Sequence, residues 1–185
     1  YACCLYNHPV LDGVQTLLAR ERFAAEDVER IKVEAPALAT IMTDPEPENM
    51  LAAKFSLPYA VATAVVHNST DITAFYPDRL QDPETLSLAR RVDIVADPDM
   101  DLRRYDYPAA KVAVSLKDGR TLTEDVIAHH GDAQNPASRE ELVGKFNFLV
   151  QDVLGEMGAA RVVETVGYLD ALGDIRELTR LLKGS

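Results

Sequence analysis

Three observations predict an α+β fold. Strand-like runs do not alternate strictly with helical ones, one Asp-Gly pair marks a tight hairpin, and one long stretch is apolar almost throughout. Strands are expected at 30–36, 91–96, 110–117 and 120–128, forming a mainly antiparallel sheet of about four strands packed with helices and followed by C-terminal helices. The 50–67 segment is expected to cover one face of that sheet.

Val10, Val14, Leu17 and Leu18 recur at helical spacing after Pro9, which suits a first helical turn, so 9–22 reads as an amphipathic helix. Ile31, Val33 and Ala35 then alternate with Lys32 and Glu34 until Pro36 ends the strand. Pro45 and Pro47 mark a loop. From Met50 to His67 charge disappears after Lys54, the pattern of a helix buried on most sides, with Phe55, Leu57, Val61 and Val65 expected in the core. Pro58 predicts a break near Leu57, because proline lacks the backbone donor and clashes with the preceding turn. Asp82 and Pro83 open a short helix running to Arg91. Lys117-Asp118-Gly119-Arg120 joins two β-rich runs, and Asp-Gly supplies the positive φ angles of a hairpin turn. Ser138 and Glu141 form a capping box, and the remainder reads as helical to Leu182 with breaks at Gly158 and Gly173.

Of 185 residues, 47% are hydrophobic and 26% charged, enough to bury a core as a single domain over 1–185. The formal net charge of -11 repels nucleic acid and anionic lipid, and no basic patch offsets it. The most apolar run, 59–66, is far short of the roughly 20 residues that cross a bilayer, so neither membrane nor nucleic acid is an expected partner. Cys3 and Cys4 are neighbours and cannot staple distant segments, which favours a reducing, cytoplasmic location. The opening Tyr1–Cys4 reads like the middle of a segment, so residues are expected upstream.

Several stretches together resemble the MmgE/PrpD family: YACCLYNHP at 1–9, AAKFSLPYAVATAV at 52–65, DPETLSLARRV at 82–92, VAVSLKDGRTL at 112–122 and GDAQNPASREELVGKF at 131–146. They occur in the order of that family's C-terminal domain, and the likeness is weakest over 147–185. The resemblance implies a larger helical N-terminal domain, absent from this chain, that carries most acid/base residues while the present domain closes over the cleft. It further implies activity on small polycarboxylates through proton removal or addition beside a carboxylate, as in 2-methylcitrate dehydratase, cis-aconitate decarboxylase and iminodisuccinate epimerase. A homodimer and no metal or organic cofactor are also implied, and the sequence offers no CxxC pair, HExxH or Gly-rich phosphate loop. A lysine usual in the family, two residues before the aromatic matched by Tyr1, falls outside the chain.

His8 is the candidate catalytic residue, since its segment resembles a cleft-lining loop of the family and an imidazole can move a proton near neutral pH. The competing reading is a cap for the following helix. Cys4 faces the same candidate site by resemblance, although both cysteines also read as small packing residues. Lys54 and Tyr59 flank the expected helix break and could present polar tips to a substrate, or serve the core. Thr40 lies in a region that some family members use to reach the site. His129 and His130 read as exposed loop residues, because adjacent histidines at a strand end point to opposite faces and make a poor metal site. His67 reads as a cation at a helix C-terminus.

The sequence thus reads as the cleft-forming domain of a cofactor-independent lyase or isomerase for polycarboxylates. A non-catalytic module that binds an organic acid or serves oligomerisation is the alternative.

Overall fold

The structure, a computed structural model, describes residues 1–101 and 108–183. The chain divides into two compact units, Tyr1–Asn135 and Pro136–Ser185. The first unit is α+β. It contains helices α1 (His8–Arg20), α2 (Met50–Phe55), α3 (Leu57–His67), α4 (Pro83–Ala89) and α5 (Pro98–Asp101), with strands β1 (Val28–Ala35), β2 (Val92–Ala96), β3 (Ala110–Leu116) and β4 (Thr121–Val126).

The strands form one sheet in the order β2-β1-β3-β4. β1–β3 and β3–β4 are antiparallel, but β1 and β2 run parallel, pairing Ile31 with Val92 and Val33 with Ile94. The sheet is therefore mixed, because the long 36–91 connection, filled by helices, lets β2 return in the direction of β1. Period-2 alternation specifies which face a residue takes and is silent on strand direction. The hairpin turn is the one expected: Gly119 has φ 90°, its N–H donates to Leu116 O at 3.0 Å, and Ser115 pairs with Thr121.

On the inner face Ile31, Val33, Val112, Val114 and Leu116 are buried. The outer face carries exposed ion pairs, Arg30 with Asp93 and Lys32 with Glu34, of a kind worth about 0–1 kcal/mol each. α1 lies on β3 and β4 through Val10, Leu11, Val14 and Leu17, all buried. Gly13 makes the close approach possible, since a Cβ there would come within 2.9 Å of Val112 Cγ2. α3 packs on α1 and α4 and reaches β2, so cover of the sheet is shared between α1 and α3.

Pro58 breaks the 50–67 segment as expected. Ser56 ends α2 and caps α3, accepting the Tyr59 N–H at 3.0 Å, and Pro58 falls in the first turn, where no N–H is needed. Leu57, Val61 and Val65 are buried, as is nearly every other residue of α3. Phe55 departs from expectation and is 52% exposed. The extended Ser56 interrupts the helical phase, so the buried face of α3 does not continue back into α2. α3 ends at Asn68 in the left-handed region, φ 48°. Asp82 caps α4 by accepting the Thr85 N–H and lies 3.1 Å from His67 Nε2, which holds the last residue of α3 against the start of α4.

The second unit comprises α6 (Arg139–Gly167) and α7 (Arg176–Leu181). The Ser138–Glu141 capping box is present. The break expected at Gly158 is instead at Gly155, which takes φ 63° and ψ 173°, while Gly158 remains helical; Gly173 lies in the bend before α7. Only a glycine adopts that conformation without strain. Buried Ala159, Val162 and Thr165 then lie on one stripe of the second half of α6. Many large apolar side chains of this unit are exposed, Met157 at 84%.

Candidate active site at the start of the first helix

The segment that carries His8 is docked by the consequence of a proline. In an uninterrupted helix the N–H of residue 58 would bond the carbonyl of Lys54. Pro58 has no N–H, and the Lys54 carbonyl instead accepts the Cys4 N–H at 2.9 Å and Asn7 Nδ2 at 3.4 Å. Asn7, 1% exposed, occupies the N-cap position but makes no side-chain cap bond, and among the described residues its Oδ1 has no hydrogen-bond partner. His8 is the first helical residue of α1, with Pro9 behind it in the first turn. The cap reading of His8 therefore fails.

The His8 ring is half-buried, with Nε2 3.3 Å from the Cys3 carbonyl. A carbonyl only accepts, so Nε2 carries the proton in this arrangement and Nδ1 bears the lone pair. Among the described residues Nδ1 makes no hydrogen bond. Two rings pack nearly perpendicular to His8: Tyr1 at 5.2 Å between centroids and His129 at 5.1 Å. Burial above all pulls the His8 imidazole down, to about 4, against weaker upward pulls from the Cys3 carbonyl and Asp12. The ring is neutral at pH 7 and is equipped to accept a proton at Nδ1.

Asp12, one turn beyond His8 on α1, is the hub of this region. One carboxylate oxygen accepts the Tyr1 hydroxyl and the other accepts the His130 N–H. Burial, followed by that hydrogen bond, pushes the Tyr1 hydroxyl above its usual range. His129 is 5% exposed, which corrects its assignment as an exposed loop residue. Its Nδ1 lies 3.0 Å from the His130 carbonyl, and its Nε2 is 4.0 Å from Asp132 Oδ2. The pairing with Asp12 draws the 127–135 loop over α1, a contact across more than a hundred residues that no local pattern signals.

The other candidates divide. Cys3 and Cys4 are free thiols, and the Cys4 N–H is spent on the Lys54 carbonyl. Burial pushes the Cys3 thiol up to about 11, with Lys54 among the weaker downward pulls, so it is a packing residue and not a thiolate at neutral pH. Lys54 is half-buried beside this segment. Thr40 lies in a 3-10 turn, 37–41, that packs against β2, and its hydroxyl donates to Ala37 O at 2.7 Å. β1 ends, β3 begins and β4 ends at the same end of the sheet, so Thr40 and His8 share that end, near opposite edges. Tyr59 requires a correction. It is fully buried, with its hydroxyl donating to Ala74 O at 2.9 Å, so it presents no tip to a cleft. Pro58 starts α3 with its second residue already inside the core, which turns Tyr59 inward. Among the described residues, no three metal-ligating side chains converge.

By fold and site, the first unit is an α+β domain with a neutral, half-buried histidine at a helix start. The chain belongs to the MmgE/PrpD family: the family model of the MmgE/PrpD C-terminal domain matches residues 1–170. Similar curated proteins include a cis-aconitate decarboxylase of Mus musculus, 28% identical over 89% of this chain and 33% of its own length. One of Aspergillus terreus is 25% identical over 98% of this chain and 39% of its own length, and one of Homo sapiens 26% over 97% and 38%. The chain thus spans between a third and two fifths of these relatives. No helix among the described residues is long and apolar enough to cross a membrane.

Proposed function

We propose that this chain is the cleft-forming C-terminal part of a cofactor-independent lyase or isomerase acting on small polycarboxylates, and that His8 exchanges a proton with the substrate. The observation that carries the reading is the His8 ring itself: partly open, neutral at pH 7 and with Nδ1 uncommitted. A neutral nitrogen lone pair is a poor ligand for a carboxylate but a suitable acceptor for a proton on the carbon beside one. An arriving polycarboxylate also favours the charged form of the ring, which raises its proton affinity towards the useful range. The decarboxylase names of the relatives favour lyase chemistry, with the dehydratase and epimerase reactions of the family as alternatives. Cys4, Lys54 and Thr40 are the remaining substrate-side candidates.

Kinetics test this directly. The full-length protein that contains this sequence is assayed with cis-aconitate, 2-methylcitrate and iminodisuccinate, and His8→Ala is expected to lower kcat/KM by about 10²-fold to 10⁴-fold with the fold intact. The 185-residue chain alone is expected to show no turnover, because a base without the rest of the electrostatic site is not enough. Unchanged kcat/KM in His8→Ala, or no activity of the full-length protein on any of the three acids, would overturn the proposal.

A further inference from the structure

We propose that His129 is a positioning residue for His8 and that Asp12 is the latch that holds it in place. The inference rests on the reading of His8 as the proton-exchanging group and adds what fixes that ring. Both rings that pack on His8 are tied to one carboxylate. Asp12 accepts the Tyr1 hydroxyl with one oxygen and the His130 N–H with the other, next in sequence to His129. Asp12 lies four residues after His8 on α1, and residues so spaced share a helix face.

His129 itself is placed to orient and not to react. Its ring is 5% exposed, and its Nδ1 donates to the His130 carbonyl. Its loop is closed by its own bonds: Gly131, in the left-handed region at φ 89°, donates to Asn135 O at 2.8 Å, and Asn135 Nδ2 reaches Ala128 O at 3.3 Å. A ring held this way presents a fixed wall to His8. With the Nε2 bond to Cys3 O, that wall leaves the imidazole one orientation, with Nδ1 as the open nitrogen. The titratable groups around His8 are Tyr1 and Cys3 from the opening segment, Asp12 from α1, His129 and Asp132 from the loop, and Lys54 from α2 beside Cys3.

Nitrogen-15 NMR of the histidine rings in the full chain reads the proposal without reference to activity, because the two neutral tautomers have distinct shifts. In the unsubstituted chain His8 is expected as the Nε2–H form. His129→Ala and Asp12→Ala should both mix the tautomers, and His129→Ala, which also removes a downward pull, should move the His8 midpoint up by roughly half a pH unit or more as water reaches the ring. His129→Phe keeps a ring of similar shape and should preserve the Nε2–H form. Asp12→Asn is the milder variant if an alanine variant does not fold, and it should also mix the tautomers, since an amide nitrogen only donates and one of the two donors loses its acceptor. In the full-length enzyme, His129→Ala should lower kcat about 10-fold to 100-fold with little change in KM, the mark of lost orientation. A His8 signal unmoved in folded His129→Ala or Asp12→Asn would overturn the inference, as would a His129→Phe variant that behaves like His129→Ala. If the NMR result holds while His8→Ala leaves turnover intact, the positioning stands and the catalytic reading of His8 falls.

Discussion

Replacing Tyr59 by Phe removes one oxygen atom from the centre of the first unit and separates a core role from a ligand-binding one. The Tyr59 hydroxyl donates to Ala74 O at 2.9 Å, both residues are buried, and burial pushes the phenol up to about 12. The ring contact with Phe75, 6.2 Å between centroids, survives the change. What is lost is a hydrogen bond worth about 0.5–1.5 kcal/mol net, and a buried carbonyl is left unpaired at a further cost that brings the total to about 1–2 kcal/mol. With a urea dependence of about 2 kcal/mol per molar, the unfolding midpoint should fall by about 0.5–1 M. Equilibrium unfolding followed by circular dichroism at pH 7 measures this. A midpoint unchanged to within about 0.2 M, a few tenths of a kcal/mol, would refute the core assignment. Loss of turnover in the full-length Tyr59→Phe protein at unchanged stability would return Tyr59 to the substrate side.

Val61→Asp should prevent folding, since Val61 is fully buried and an unpaired carboxylate there costs several kcal/mol against a total stability of about 5–15 kcal/mol. A soluble variant that melts at the original temperature would contradict the burial of α3. The His8 imidazole, held low in the fold, makes the unfolded chain the stronger proton binder between about pH 4 and 6.5. Stability from this group is therefore complete above pH 6.5 and lost as the pH falls towards 4. The fall in melting temperature between pH 7 and 5 should be larger in the unsubstituted chain than in His8→Gln, and equal falls would exclude the effect.

Local chemistry was legible in the sequence. The Asp118-Gly119 turn, the Ser138–Glu141 box, the Asp82 cap and the Pro58 break each depend on residues a few positions apart, and each is present. The parallel pairing of β1 with β2 was not legible, because alternation carries no direction. Phe55 misled because its apolar character continues that of α3 while the helical phase does not. Of the candidate site, His8 was singled out by the family resemblance of the segment that carries it. Asp12 was within reach, four residues on along the same helix. His129 was not, since its burial depends on a loop brought back by a backbone N–H to Asp12, and the sequence pattern does not specify which carboxylate a distant amide will choose.

The central position of β1 matters before the protein is complete. β1 leaves the ribosome before its neighbours on both sides, β2 and β3, which are encoded downstream of it, whereas β3 and β4 can zip together through a four-residue turn as soon as they emerge. During synthesis Val28, Ile31, Val33 and Ala35 form an unpaired apolar ribbon, open to the same ribbon on a neighbouring nascent chain. Glu29, Arg30, Lys32 and Glu34 interleave with it. These charges add little to the finished sheet, but alternating charge of this kind is what disfavours edge-to-edge pairing of a waiting strand.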